Sequence, residues 1–310
     1  LHHYLSHPSF NHEKEYEVVA DGPIADTELA YMARGMPLQG IKTRPAKVTR
    51  LGGTRFRIVL KEGRNRQIRR MVRKVGPRTF DFVARDVRDF NLVASPGFRT
   101  VRGMSKDGQT VIYAHVRRHN GRRLVNLARA ELARFEAITG VPYPYPTYRV
   151  AETGGGLAME SPALIWIPSR RSSADHPYLV SHETAHQWWY SMVGNDQATD
   201  AFADEALADY FSRQKHLSIR ASRCATDRLD RDSQAYSDLC YFEVIYVQGA
   251  RFLAKLRKDY GSARFLAAIR AYTRDNRDEV SNNARLHEAF RAQMGDGVLP
   301  RFRSRFPSIY

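Results

Sequence analysis

His182 and His186 stand four residues apart with Glu183 between them, and Glu205 follows after a further eighteen residues. Residues four apart project from one face of a helix, so both imidazoles can address a single centre. Two histidines and a distant carboxylate make three ligands for zinc and leave a fourth position open, the arrangement of a catalytic site rather than a closed structural one. Glu183 lies beside the pair without needing to bind metal. Its carboxylate is placed to take a proton from a water that attacks a carbonyl.

The surrounding residues predict two helices. Leu179, Val180, Ala185, Trp188, Trp189 and Met192 form a largely apolar segment around the histidines, with Gly194-Asn195 as its expected stop. Ala203 to Phe211 is rich in helix formers without an internal Gly or Pro, which places Glu205 near the start of a second helix. Asp209 has two readings: it either accepts a hydrogen bond from the free N–H of a ligand histidine or is a solvated helix carboxylate.

With Gln187-Trp188-Trp189, Gly194-Asn195-Asp196 and Asp204-Glu205-Ala206-Leu207-Ala208, these residues resemble the gluzincin aminopeptidases of the aminopeptidase N and leukotriene hydrolase type. Upstream, Gly154 to Ser161 is similar to that family's Gly-x-Met-Glu-Asn segment, and Tyr246-Val247-Gln248-Gly249 to its Tyr-x-Lys-Gly segment. The resemblance runs over about residues 80 to 310. It implies an α+β zincin fold, thermolysin-like, with a mixed sheet followed by helices, and one zinc ion on His182, His186 and Glu205. It further implies Glu183 as base and Tyr246 as hydrogen-bond donor to the oxyanion, with Glu160 binding the free α-amino group of a peptide. Tyr246 is otherwise a core tyrosine and Glu160 an ordinary loop carboxylate. Met159 and Gly156 would line the substrate site, the glycine run allowing close backbone approach to an edge strand. Three departures stand out: Ser161 replaces the usual Asn, Gln248 the usual Lys, and Phe202-Ala203 occupy the place where a Trp often precedes the ligand Glu. They bear on substrate preference and turnover and remove neither a ligand nor the base.

Residues 1 to 76 belong to a different pattern. Ser6-His7-Pro8-Ser9, Glu13 to Val18, Ala33-Arg34-Gly35-Met36 and Leu60 to Met71 resemble the pseudouridine synthases of ribosomal RNA, small-subunit type, in family order. The resemblance implies that Tyr16 packs on a base and that Arg64 to Arg70 belong to the cleft. The family's nucleophilic aspartate precedes the first of these segments and has no counterpart here; Arg228 to Ser233 imitates its motif in the wrong context, as a charged stretch expected to be a solvated helix face. Half such a domain is expected to expose part of its core.

Charge follows the same division. The chain carries +16, and residues 1 to 76 hold 15 Lys/Arg against 7 Asp/Glu, a +8 concentration that suits RNA phosphates. Over 64 to 75, Ile68, Met71, Val72 and Val75 recur at helical spacing while Arg64, Arg66, Arg69, Arg70 and Arg73 crowd the remainder. That face either neutralises phosphates or is merely solvated.

The expected organisation is therefore a pseudouridine-synthase-like segment over 1 to 76, a remnant of a peptidase β-domain over 77 to 118, and a catalytic domain over 119 to 310. The Gly76-Pro77 pair marks the first seam. Phe80 to Ala84, Phe90 to Ser95 and Thr110 to Val116 read as strands, Asn120 to Phe135 as a helix, and Val141 to Pro146 as an extended linker. No 18-residue apolar run and no signal peptide is present. Two cysteines, Cys224 and Cys240, are expected as free thiols, which makes the cytoplasm the default location, with export open because an export signal could precede this chain. The leading expectation is a zinc aminopeptidase acting on peptides with a free amino terminus. The competing one is an RNA-binding remnant with an inactive peptidase part.

Overall fold

A computed structural model describes residues 14 to 310 apart from 21, 39, 62–66, 76–88, 90, 94, 96, 117–120, 214–223, 225 and 227. It divides into two compact units, Leu1–Arg85 and Asp86–Tyr310. That seam and the Gly76-Pro77 seam both fall in residues outside the described ones, as do the expected strand over Phe80 to Ala84, the Ser6 to Ser9 segment and Arg64.

In the first unit, β1 (Lys14–Val19), β5 (Arg55–Leu60) and β4 (Lys47–Arg50) form an antiparallel sheet in that order, with a small hairpin of β2 (Pro37–Leu38) and β3 (Ile41–Lys42). Alternation along β5 sends Phe56, Ile58 and Leu60 to one face, where they meet Leu29 and Met32 of helix α1 (Asp26–Ala33). The basic helix α2 runs over Gln67–Val75 and inserts Met71 and Val72 into the same core, with Ile68 and Val75 at its margin. Arg69 and Arg70 are half-buried on it, and Tyr16 on β1 is 41% exposed. Val19, Ile41 and Leu51 are exposed in this unit as well.

The second unit is built on a five-stranded mixed sheet in the order β6 (Arg99–Met104), β7 (Thr110–His115), β8 (Thr147–Thr153), β10 (Leu164–Pro168), β9 (Met159–Ser161). The central pairs β7–β8 and β8–β10 are parallel and the outer pairs antiparallel, which leaves β9 as an edge strand. The crossover from β7 to β8 runs through helix α3 (Gly121–Thr139), whose Leu124, Val125, Ala128, Leu132 and Phe135 recur at helical spacing and are buried. Val141 to Pro146 carries no regular structure before β8, as its prolines dictate. Among the described residues of Phe90 to Ser95 no strand forms; the outer strand is β6 instead.

Helices follow the sheet. α4 (His176–Ala185) starts with Pro177 in its first turn, where a missing N–H costs nothing. It ends eight residues before the expected stop, because Gly194-Asn195 is drawn into β11 (Val193–Asn195), paired in parallel with β12 (Glu279–Ser281). A single 3₁₀ turn (Ala201–Ala203) leads into α5 (Glu205–Ser212). Further on, α6 (Asp238–Tyr241) passes into a π-helical stretch over Phe242–Gln248 and then α7 (Gly249–Tyr260). Gly249 faces α5 so closely that a Cβ there would lie 2.7 Å from Ala206 Cβ. Helices α8 (Ser262–Asp275), α9 (Asn283–Met294) and α10 (Leu299–Arg305) complete the unit. Trp188, Trp189, Phe135 and Phe211 pack against one another, by stacked and edge-to-face contacts, in the core between α3, α4 and α5.

Two further expectations change. Arg228 to Ser233 is not a solvated helix face: Leu229 is buried in the core, and Asp230 accepts from Arg228 and from the Ser308 backbone. Cys224 and Cys240 are not free thiols but form a disulfide. Sixteen residues of separation gave no hint of the pairing, because the fold sets the 5.6 Å Cα distance.

Candidate metal centre

α4 and α5 pack side by side and bring three side-chain atoms to one point. His182 Nε2 lies 3.1 Å from Glu205 Oε2, His186 Nε2 lies 3.4 Å from the same oxygen, and the two Nε2 atoms are 3.3 Å apart. Two ligands bound tetrahedrally at zinc distances are themselves about 3.3 Å apart, so the triangle fits the ion without rearrangement. His186 is the C-cap of α4 and keeps right-handed helical angles, φ −65° and ψ −9°, so the early helix end does not swing it off the shared face. Burial opposes charge on both histidines, yet the Glu205 carboxylate at His182, and Asp204 with Glu205 at His186, hold both imidazoles above the ordinary range. Burial also opposes the Glu205 carboxylate, but the two histidines hold it below its usual range.

The His186 imidazole is flanked from behind by residues that spacing did not single out. His186 Nδ1 donates to the Trp189 carbonyl at 3.1 Å and lies 2.5 Å from Asp204 Oδ1. Asp209 does not take the role considered for it. Its nearest approach to His182 Nδ1 is 3.9 Å, beyond hydrogen-bond range. Nor is it solvated: it is fully buried, accepting from Tyr178 at 2.6 Å and from Arg213 at 2.7 and 2.8 Å.

Glu183, Glu160 and Tyr246 surround this triangle. Glu183 is buried, and desolvation lifts its carboxyl to about 8, which makes its carboxylate a stronger base than an exposed one. One ligand-type atom from each of Glu160, Glu183 and His186 falls within a 4.8 Å set. Glu160 sits on edge strand β9, opposite Ile165, and desolvation raises its pKa. Gln197 donates from one amide nitrogen to Glu160 at 3.0 Å and to Asp204 at 2.8 Å, tying the edge strand to the residue behind His186. Gln187 makes a second tie, donating to the Ser161 carbonyl at 3.0 Å and accepting from the Ala163 amide at 2.9 Å. Met159 is 44% exposed beside Glu160, and Gly154 and Gly156 have open space where side chains would stand.

Tyr246 lies in the π-helical stretch, with its ring stacked on His182 at 5.5 Å between centroids. Burial and then Glu205 hold its phenol protonated, well above the ordinary range. A π-turn inside an α-helix recurs at functional sites because the extra residue re-aims a side chain. Gln248 accepts from Arg305 at 2.9 Å, and Phe202 packs against Phe252 and Phe306. Both departures from the aminopeptidase pattern are thus absorbed into local packing.

No protein-family model matches the chain. In sequence, 66 residues are 46% identical to the dual-specificity RNA pseudouridine synthase RluF of Shigella flexneri, covering 21% of this chain and 23% of that protein. A ribosomal small subunit pseudouridine synthase A of Salmonella typhimurium is 33% identical over 81 residues, 26% of this chain and 35% of that protein. The chain therefore spans about a quarter to a third of the length of these relatives. In structure, the M1 zinc metallopeptidase of Deinococcus radiodurans, a mutant bound to a Tyr-Ser-Ala substrate, superposes with TM-score 0.50 and 19% identity over 93% of this chain and 60% of that one. A two-domain M1 zinc metallopeptidase mutant bound to L-arginine gives TM-score 0.51 at 19% identity over 94% and 60%. The chain combines a segment similar in sequence to RNA pseudouridine synthases with an α+β fold like that of the M1 zinc metallopeptidases.

Proposed function

We propose that the second unit is a zinc-dependent peptidase that hydrolyses the peptide bond next to a free amino terminus. The observation that carries this reading is the convergence of His182, His186 and Glu205 on one point, with Glu183 and Glu160 beside it. His182, His186 and Glu205 would hold one zinc ion. When bound, zinc supplies Lewis-acid polarisation of the attacking water and the scissile carbonyl. Glu183 takes the proton of the attacking water and delivers it to the leaving amine. Tyr246 donates its hydroxyl hydrogen to the oxygen that gains charge as the carbonyl becomes tetrahedral, an interaction made only along the reaction. Glu160 accepts from the substrate ammonium, held in place by Gln197, while Met159 and Gly156 border the side chain and backbone of the first residue. The peptide would lie along edge strand β9, whose outer face has no strand partner among the described residues.

The test is hydrolysis of aminoacyl fluorogenic amides by zinc-loaded protein, against the same amides acetylated at the α-amine. Cleavage confined to the free-amine set is the expected result. Equal cleavage of both removes Glu160 as amine anchor, and cleavage of neither removes the peptidase reading.

A second reading applies to the first unit, on the strength of its 46% identity to an RNA pseudouridine synthase. Tyr16, Arg64, Arg69 and Arg70 would contribute to residual RNA binding. Retardation of a ribosomal RNA stem-loop that weakens steeply with salt would support it; salt-independent or absent retardation would remove it.

The three-part division at residues 76 and 118 remains our reading of the organisation. As to location, no helix among the described residues is long and apolar enough to cross a membrane. The Cys224–Cys240 bridge favours an oxidising compartment over the cytoplasm, where thiols are kept reduced.

A further inference from the structure

Asp89 plays no part in the chemistry above, yet its carboxylate is a junction. It accepts from Ser161 Oγ at 2.8 Å, from Asn91 Nδ2 at 2.9 Å and from the hydroxyl of Tyr190. Asn91 also donates to Ser161 Oγ at 2.9 Å, closing a ring of contacts. Each arm ends beside the candidate site. Ser161 follows Glu160 at the end of β9. Tyr190 follows Trp189, whose carbonyl accepts from His186 Nδ1.

The Tyr190 arm carries strain. Tyr190 has φ 154°, in a region that side-chain-bearing residues rarely adopt. Such a conformation persists only where its surroundings over-determine it. Here the Tyr190 ring packs edge-on against His186, 6.3 Å between centroids, and Asp89 holds the hydroxyl. Holding Tyr190 fixes the peptide between residues 189 and 190. That peptide bears the carbonyl that sets the imidazole of His186, and partners of this kind tune metal affinity.

We propose that Asp89 is a positioning residue that keeps the two halves of the site in register, the amine-binding edge strand through Ser161 and the His186 imidazole through Tyr190. The Ser161 arm rests on the proposed role of Glu160; the Tyr190 arm does not. Neither arm was visible in the sequence, since 72 and 101 residues separate Asp89 from its two partners.

The experiment uses the full chain and the variants Asp89→Ala, Ser161→Ala and Tyr190→Phe. Zinc affinity is measured by competition with a chromogenic chelator, and calorimetry on zinc-loaded protein, with Glu183→Gln as a shared background so that the amide is not hydrolysed, measures binding of leucine amide against N-acetyl-leucine amide. Tyr190→Phe is expected to weaken zinc about tenfold and leave leucine amide binding within about twofold. Ser161→Ala is expected to do the reverse, and Asp89→Ala to do both. Adding Tyr190→Phe to Asp89→Ala should weaken zinc no further, because both remove one contact. The inference is overturned if Asp89→Ala keeps both affinities within about twofold, or if its zinc loss multiplies with that of Tyr190→Phe. Should Asp89→Ala fail to fold, the two hydroxyl deletions decide the same question. If the unsubstituted protein does not bind leucine amide, the Glu160 reading fails and the zinc measurements alone judge Asp89.

Discussion

His186 Nδ1 lies 2.5 Å from Asp204 Oδ1, so the residue immediately before the third ligand candidate stands behind the second. Both side chains are fully buried, and a buried carboxylate without a cationic or hydrogen-bonded partner is costly. One tight turn into α5 therefore delivers a ligand, Glu205, and an orienting group, Asp204, to the same imidazole cluster. Asp204→Asn is expected to weaken zinc binding by about 10- to 100-fold while leaving the fold intact. Competition with a chelator, with circular dichroism as the fold control, checks it. Unchanged affinity would mean that the Trp189 carbonyl alone orients His186.

Glu183 carries the proton in the proposed reaction and binds no metal. Glu183→Gln keeps its size and hydrogen bonding but cannot accept a proton. Turnover of free-amine amides should fall by about 10²- to 10⁴-fold with zinc still bound. Metal content measured beside kcat distinguishes this from a lost site, and normal kcat in the variant would end the mechanism.

Tyr246 stacks on His182 from a π-turn, and its phenol stays protonated across the physiological range. Tyr246→Phe should lower kcat by about 10²- to 10³-fold and leave KM nearly unchanged, because the lost hydrogen bond forms only in the transition state. A change confined to KM would return Tyr246 to the role of a packed core residue.

His287 is buried among Phe202, Phe302 and Phe306, and neither ring nitrogen has a hydrogen-bond partner among the described residues. Burial pushes its pKa down to about 3, against about 6.5 in an unfolded chain. The unfolded state thus takes up the proton first. The contribution of the neutral ring is full above about pH 6.5 and is lost as pH falls from there towards 3, at up to about 1.4 kcal/mol per pH unit. Urea unfolding of the protein and of His287→Leu at pH 7, 6 and 5 should show the gap between them shifting towards the variant as pH drops. A constant gap would mean that the histidine is charged or solvated in the fold.

Cys224 and Cys240 close a loop with a sequence separation of 16, and Cys240 lies in α6, the helix that leads into the stretch carrying Tyr246. A loop of that length constrains the unfolded chain by about 3 kcal/mol. Cys224→Ser with Cys240→Ser should lower Tm and make the protein insensitive to dithiothreitol, whereas the unsubstituted protein loses stability on reduction. Equal Tm with and without reductant would show that the bridge does not form.

How far the sequence reached depended on whether an inference was local. The pairing of His182 with His186 was legible because four-residue spacing on a helix is a geometric statement, and the buried face of α2 because its apolar residues recur at helical spacing. Helix boundaries were less so. α4 stops at Ala185 because Gly194-Asn195 pairs with Val280-Ser281, a partner some 86 residues away that propensity cannot see. Helical phase left Asp209 as either an orienting residue or a solvated carboxylate, and it is neither, because Tyr178 and Arg213 claim it in the interior.

The amino-acid sequence by itself determined the candidate ligand types, their spacing, the candidate base between the histidines and the split between a basic amino-terminal segment and a zincin-like remainder. All of these are encoded within stretches of a few residues. Only the tertiary structure decided which groups stand behind the ligands: Asp204 rather than Asp209, Gln187 and Gln197 as ties to the edge strand, Asp89 across 101 residues to Tyr190, and the joining of Cys224 to Cys240. The physical reason is that hydrogen bonds and disulfides depend on separations of a few ångströms in space. Sequence distance sets those separations within a helix turn but not between elements that packing brings together.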